Sequence, residues 1–486
     1  MPLSLQNTFS GTKERFKPIR QELVKVYSCG PTPYNYVHIG NLRAYLFEDA
    51  VIRTLRYLGY KVQTVMNITD IDDKTIRDSQ KQGVSLQELT EKYTRLFLQD
   101  IKNLGIIPAD TIVPISSAID TMVEIIQKLL DKKIAYLADD GSIYYSIKKF
   151  PKYGQLAHLD MKGMKSSVRI NNDEYEKESV ADFALWKAYD AEKDGPNKWI
   201  VKFNVDEKEV ELPGRPGWHI ECSACNLKHL GTEIDLHMGA IDNIFPHHEN
   251  EIAQSEAFTG KQFSRYWMHC GHLLVDNKKM SKSAGNFYTL ADIVVKMPNE
   301  KPEMVYRGFR LMNLQTRYRE SFNFTFDRLS AAIATVKSFD EVLKRLGRYN
   351  PTSGKIFRDF REMMQQYVQA YIEKLEDDIG TPEALAIVFD CFSFINSGID
   401  SNSFSLEEKS AIIDLLHSFD EVLGLFDFSL LESTEVPAEI ELLLLQRNEA
   451  KAQKNYLQAD SLRDEILKLG YKIIDDKNGS HVEAIE

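Results

Sequence analysis

Cys29-Gly30-Pro31-Thr32-Pro33-Tyr34-Asn35-Tyr36-Val37-His38-Ile39-Gly40-Asn41 is the stretch on which the fold turns. Before it, Leu23 to Tyr27 clusters apolar side chains as a buried strand does. After it, Leu42, Tyr45, Leu46, Ala50, Thr54 and Leu58 recur at helical spacing, and Gly59 stands where helices commonly end. A second apolar run, Lys61 to Ile68, reads as a returning parallel strand. Strand, loop, helix and parallel strand form the nucleotide-binding unit of a doubly wound sheet. The loop lies at the C-terminal edge of that sheet, where unpaired N–H groups of the helix start receive phosphate. Gly40 permits close backbone approach there, and His38 offers a donor to a phosphate oxygen.

The 486 residues exceed what one core organises, so two or three domains are expected. A hydrophobic share of 43% with no apolar run near bilayer-spanning length excludes a membrane protein. A net charge of −12 argues against indiscriminate nucleic-acid binding and leaves room for local basic surfaces. Five widely spaced cysteines, an odd number, describe no disulfide framework and fit a reducing cytoplasm. Met1 to Pro18 lacks the apolar core of a secretory signal.

Far downstream, Tyr266 to Val275 reads as another strand and feeds a loop containing Lys279-Met280-Ser281-Lys282-Ser283. Alone, a lysine-rich loop is a solvated surface. Paired with His38-Ile39-Gly40-Asn41, it resembles the ATP site of the class I aminoacyl-tRNA synthetases, with their His-Ile-Gly-His and Lys-Met-Ser-Lys-Ser loops. Within that class the chain resembles the cysteine-specific branch. The resemblance implies an α/β fold: a Rossmann-type, doubly wound parallel-sheet catalytic domain with a short insertion. A helical bundle and a small α+β anticodon-binding domain follow. The implied boundaries are 1–115 and 214–300 for the two catalytic halves, 116–213 for the insertion, 301–430 for the bundle and 438–486 for the tail. Asn7-Thr8-Phe9 and Lys13 to Phe16 resemble that family's opening hairpin, which leaves no room for a cleaved leader.

Between Gly214 and Glu256 the chain concentrates metal-ligand side chains: Cys222, Cys225, His237, His247, His248 and Glu251. His247 and Glu251, at i and i+4, stand on one helix face and can grip one ion. With cysteine thiolates they make a donor set typical of zinc. Three other readings stand beside it: a Cys222–Cys225 redox pair, a structural zinc on Cys222, Cys225, His247 and His248, and a plain helix-surface pair. The resemblance selects Cys29, Cys222, His247 and Glu251 as ligands of one zinc per chain, with Mg2+ accompanying ATP. An insertion too small for an editing domain makes such an ion useful. Cysteine and serine differ by one atom, which a plain pocket separates by only about 1–3 kcal/mol. Zinc takes a thiolate strongly and a neutral hydroxyl weakly.

The resemblance also implies ATP contacts from His38, Gly40, Asn41, Asp242, Lys279 and Lys282. Gly30, Thr69, Trp218 and His237 would surround the substrate cysteine. Lys279 and Lys282 supply charge to the departing pyrophosphate, a step governed by positioning and electrostatics. Asn41 departs from the family's second histidine: it still hydrogen-bonds but never ionises, which predicts a flatter pH response. Asn67 to Lys74 reads as a helix start with Asp70 as cap and Asp73 in the first turn.

Beyond Phe287, Leu329–Leu346, Lys355–Leu375, Pro382–Ile395 and Leu406–Leu423 are long amphipathic patterns, a bundle. Ser429 to Pro437 reads as a linker. Ala438 to Glu486 carries Arg447, Lys451, Lys454 and Arg463 around Tyr456, then a hairpin, a pattern that suits unpaired RNA bases. Tyr456, Asp460 and Asp475 are the candidate anticodon contacts. The expected activity joins L-cysteine to tRNA(Cys) with ATP, in a cytoplasmic monomer. A cysteine ligase acting on an amino sugar lacks such a tail, and a catalytically silent RNA-binding paralogue would not keep the lysines and metal ligands.

Overall fold

The computed structural model describes residues 2–159, 165–170, 179–280, 285–351, 359–432, 437–476 and 479–485. Ser281, Lys282 and Ser283 lie outside the described residues, as does the centre of the expected linker at 433–436. Contacts divide the chain into two compact units: 1–334 with 370–385 and 421–425, and 335–369 with 386–420 and 426–486.

The first unit is built on five parallel strands ordered Ser264–Cys270, Ile234–Ala240, Val24–Ser28, Val62–Ile68 and Thr111–Pro114. Leu236 lies opposite Val26 and Val26 opposite Thr64, which fixes the register at the centre. Val26, Tyr27, Val65, Leu236 and Met268 are buried, as a sheet covered on both faces requires. The strand order reverses between Val24–Ser28 and Ile234–Ala240. Crevices for nucleotides form at such a switch point.

The helix after the first strand spans Ile39–Tyr57 and starts one turn before the apolar periodicity. His38 caps it reciprocally with Asn41: Asn41 N donates to His38 Nδ1 (3.1 Å), and His38 N donates to Asn41 Oδ1 (3.2 Å). The next helix, Asp73–Gln82, corrects the cap reading. Asp72, not Asp70, caps it, because extended backbone at Asp72 and Thr75 at the third position complete a capping box. Asp70 instead accepts from Ser116 N (3.0 Å) and Oγ (2.5 Å). The Tyr266–Val275 segment is two strands, Ser264–Cys270 and Leu273–Val275, interrupted where Gly271 N turns to Tyr318 O at 2.8 Å.

The insertion folds as a mostly antiparallel sheet of Ala135–Leu137, Ile143–Tyr145, Lys165–Ile170, Ser179–Ala188, Trp199–Val205 and Lys208–Pro216. Its Phe183, Leu185, Trp186 and Phe203 share one core with Tyr27, Val65 and Ile234 of the parallel sheet. Lys187, 4% exposed, reaches Asp73 at 2.9 Å, and Arg215 pairs with Asp73 and with Asp194 (2.9 Å). These pairs pin the insertion to the Asp73–Gln82 helix.

In the second unit Phe339 packs against Phe389, Phe392 and Phe426. The helix Thr381–Asp400 is long and apolar enough to cross a bilayer by length and composition, which the reading of apolar runs does not anticipate. Its Val388, Cys391, Phe392 and Ile395 are buried, as in the core helix of a bundle. The tail folds two helices, Ala438–Ala452 and Tyr456–Lys468, onto a hairpin of Tyr471–Asp476 and Gly479–Ala484, around Ile440, Ile466 and Val482.

Candidate active site and metal centre

A cavity of about 430 Å³ opens at the switch point, lined by Cys29, Gly30, His38, Asn41, Asp242 and Lys279 among others. The strand Lys278–Lys279 pairs with Leu273–Val275 and carries Lys279 and Met280 to the cavity. Met280 closes on the nucleotide loop: a Cβ on Gly40 would stand 2.7 Å from Met280 Cε and 2.9 Å from His38 Nδ1. Ile39 N donates to Tyr288 O (2.9 Å) and Phe287 meets the His38 ring edge-on at 5.0 Å. The two expected loops are thus brought together. Because His38 Nδ1 accepts from Asn41, the neutral ring carries its proton on Nε2, a donor for an anion.

Gly30 has no room for a side chain, since a Cβ there would fall 1.5 Å from Asn67 O. Asn67 organises this corner. Its Oδ1 accepts from Gly30 N (3.0 Å) and Tyr27 Oη (3.1 Å), and its Nδ2 donates to Thr69 Oγ1 (3.0 Å). Thr69 is 2% exposed behind the loop.

Three segments converge on the floor. Cys29 ends the first strand, Cys222 sits in the helix Trp218–His229, and His247 and Glu251 stand one turn apart. Cys29 Sγ lies 3.8 Å from Cys222 Sγ and 3.8 Å from Glu251 Oε1. Cys222 Sγ is 3.4 Å from His247 Nε2, which is 3.0 Å from Glu251 Oε1. Two sulfurs each about 2.3 Å from one ion at a tetrahedral angle lie about 3.8 Å apart, and mixed N, O and S edges are about 3.3–3.6 Å. The sulfur–sulfur and sulfur–nitrogen distances match one tetrahedral ion, and the two to Glu251 lie within about 0.3 Å of that range. A second group, Cys29, His237, His248 and Glu251, also has its donor atoms within 4.8 Å of one another. Cys225 belongs to neither group.

Charge in this cluster is arranged by close contact. The Cys29 thiol donates to Cys222 and brings it down to about 6 despite burial, while Cys29 itself is pushed well up. Burial opposes ionisation of Glu251, but His237 and His247 outweigh it and hold the carboxyl at about 2. His247 is disfavoured by burial and raised to about 10 by Glu251 and Cys222. A cation is the natural occupant of such a group. Behind it, His219 Nδ1 meets His247 Nδ1 at 3.0 Å, and His237 Nε2 meets Glu251 Oε2 at 3.0 Å. Outer partners of this kind fix the orientation of metal ligands. His248 Nε2 approaches Cys29 Sγ at 3.4 Å and its Nδ1 bonds His269 Nε2 at 2.8 Å. Burial holds both these rings neutral, His248 well below its ordinary value and His269 at about 3.

Of the expected substrate residues, Gly30 lines the cavity; Thr69, Trp218 and His237 do not. Trp218 stacks on His247 at 4.2 Å, and His237 is fully buried, stacked on Trp267 at 4.5 Å. Asp242 stands at the rim, 62% exposed and 3.3 Å from His272. Asn67, His219 and His269 escape sequence reasoning, and His248 enters it only as a ligand of an alternative structural zinc; the only other signal was polar side chains inside otherwise apolar strands and helices. Glu48 also escapes it: a cavity-lining carboxyl, 3% exposed, that burial pushes up to about 8. In the tail, Tyr456 is 62% exposed and Asp460 is exposed. Asp475 is held well below the usual carboxylate range by Arg447 (2.7 Å), Ser480 and Lys451 (3.0 Å).

The family described as tRNA synthetases class I (C) catalytic domain matches residues 15–334, and the DALR domain matches 370–427. Solved structures share the fold. Mycobacterium tuberculosis methionyl-tRNA synthetase in complex with methionyl-adenylate superposes with TM-score 0.56 at 15% identity, covering 87% of this chain and 94% of that one. A LeuRS–tRNA–LeuAMS ternary complex from Agrobacterium radiobacter gives 0.60 at 11% identity, covering 87% and 86%. Parallel sheet, switch-point cavity and paired loops are those of a class I aminoacyl-tRNA synthetase. The cysteine--tRNA ligase of Chlamydia felis is 43% identical over 99% of this chain and 98% of its own length. That of Protochlamydia amoebophila is 42% identical over 99% and 98%. The chain belongs to the cysteine--tRNA ligase family.

Proposed function

We propose that this chain activates L-cysteine with ATP to cysteinyl adenylate and passes it to the 3′-terminal adenosine of tRNA(Cys). A zinc ion held by Cys29, Cys222, His247 and Glu251 would select the substrate by its thiol. The observation that carries the reading is the tetrahedral spacing of those four donors at the edge of the cavity that also holds the His38 and Lys279 loops. The first donor group is preferred to the second because it contains two sulfurs. When bound, zinc supplies a soft Lewis acid that takes a thiolate in preference to a neutral hydroxyl.

The remaining work falls to the protein. His219 and His237 orient His247 and Glu251. The helix N-terminus at Gly40 and the Nε2 proton of His38 would receive the triphosphate. Lys279, with Lys282 on the adjoining loop, balances charge as pyrophosphate departs. Asp242 at the rim suits a ribose hydroxyl. Asn41 holds the loop as a cap and offers its amide N–H to ATP without titrating. Gly30, Thr69, Trp218 and His237 would surround the substrate cysteine, with Trp218 and His237 also packed on His247 and Glu251. Class membership implies initial attack by the 2′-hydroxyl of tRNA. Tyr456, Asp460 and Asp475 would meet the anticodon. The division at 1–115, 116–213, 214–300, 301–430 and 438–486, Mg2+ with ATP, a monomeric state and a reducing cytoplasm complete the reading; all five cysteines are free.

The test is ATP–pyrophosphate exchange driven by cysteine or serine, followed by charging of tRNA(Cys). Exchange dependent on cysteine and lost on zinc removal supports the reading. Equal exchange with serine, or full activity of metal-free protein, overturns it.

A further inference from the structure

Glu48 lies outside every expectation above. The cavity is lined along the Ile39–Tyr57 helix by Asn41, Ala44, Tyr45 and Glu48. That i, i+3, i+4, i+7 stripe runs inward from the phosphate loop. Seven residues at 1.5 Å rise put Glu48 about 10 Å deeper than Asn41. There its carboxyl accepts from Ser28, the residue before Cys29, so it sits beside the thiol-binding floor. Among the described residues its Oε2 is buried with no hydrogen-bond partner. A half-satisfied buried carboxyl is costly to keep and calls for a ligand that completes it.

The other carboxylate lining the cavity among the described residues, Asp242, is exposed and already 3.3 Å from His272. An amino acid held by its side chain near Cys29 and by its carboxylate near the His38–Asn41 loop has one arm left, the α-ammonium. We propose that Glu48 is a substrate-positioning residue that receives the α-ammonium group of the amino acid. This rests on the reading of the cavity as an amino acid–ATP site. Nothing about it depends on which metal, if any, holds the thiol.

Glu48→Gln tests it, with Glu48→Met as a second variant that removes all polarity. The arriving α-ammonium displaces to solvent the proton that Glu48 otherwise keeps, and loss of the resulting charge-assisted hydrogen bond weakens binding by about 10–100-fold. KM for cysteine in pyrophosphate exchange should rise by that factor in Glu48→Gln. KM for ATP and zinc content should stay within twofold, and the melting temperature should not fall. Inhibition by 3-mercaptopropionate, which is cysteine without its amino group, should be unchanged. An unchanged KM for cysteine overturns the proposal. So does an equal loss for 3-mercaptopropionate, or a lower melting temperature in both variants, which would mark a structural role. Failure of the zinc reading would appear separately, as metal-free parent protein with full selectivity.

Discussion

Replacing Cys222 with serine separates the metal's contribution from everything else in the cavity. Cys222 Sγ stands 3.8 Å from Cys29 Sγ and 3.4 Å from His247 Nε2, and the residue is 1% exposed. Serine keeps the shape and removes the soft donor. Closed four-ligand zinc sites bind with roughly 10–16 kcal/mol at neutral pH, so an even share per ligand is roughly 2.5–4 kcal/mol. That corresponds to an affinity loss of about 100- to 1,000-fold. Selection of cysteine over serine should then fall to the roughly 10–200-fold that a near-isostere difference gives an ordinary pocket. The assay is zinc content by mass spectrometry after dialysis, with pyrophosphate exchange on both amino acids. A melting curve checks that the fold survives. A Cys222→Ser protein that retains full zinc and an undiminished preference for cysteine refutes the reasoning.

Three further perturbations probe other links. Gly30→Ala forces a methyl group to within 1.5 Å of Asn67 O, so the loop must move; KM for cysteine should rise at least tenfold and stability should fall by about 1–3 kcal/mol, and a neutral variant contradicts this. Arg215→Leu leaves Asp73 and Asp194 without their shared cation in a site where Arg215 is 7% exposed; denaturant unfolding should report a loss of about 3–5 kcal/mol, and less than 1 kcal/mol would count against it. Glu48 keeps its proton in the fold to about pH 8, while the unfolded chain releases it near the ordinary 4.5. The folded state therefore binds more protons between these values, and stability falls as pH rises through that window, by up to about 1.4 kcal/mol per pH unit. The parent melting temperature should drop more steeply than that of Glu48→Gln across this range, and parallel curves would contradict the shift.

What could be read from the chain was local. The strand–loop–helix unit was legible because apolar periodicity and Gly40 act within twenty residues of each other. The helix start was legible at His38–Asn41, but its reciprocal cap was not, because periodicity does not register what the His38 and Asn41 side chains do. Asp70 and Asp72 are equally good caps on paper; the backbone angle at Asp72 and the Thr75 hydroxyl decide between them. The candidate metal ligands come from three distant segments, and the resemblance named them before their distances were known. Their supports did not announce themselves. His219, His269 and Asn67 look like ordinary polar residues until the sheet brings them within 3 Å of ligands, loop or one another. Thr69 and His237, expected around the substrate, are buried next to the cavity. Resemblance supplies a residue's neighbourhood but not the direction its side chain faces.

The central claim is that the ion meets the substrate's own sulfur. X-ray absorption at the zinc edge, on purified protein with and without L-cysteine, counts sulfurs in the zinc shell directly. The account predicts two, from Cys29 and Cys222, in the free protein and three once cysteine is bound, with no change on adding serine. A sulfur count that stays at two in the presence of saturating cysteine would contradict it.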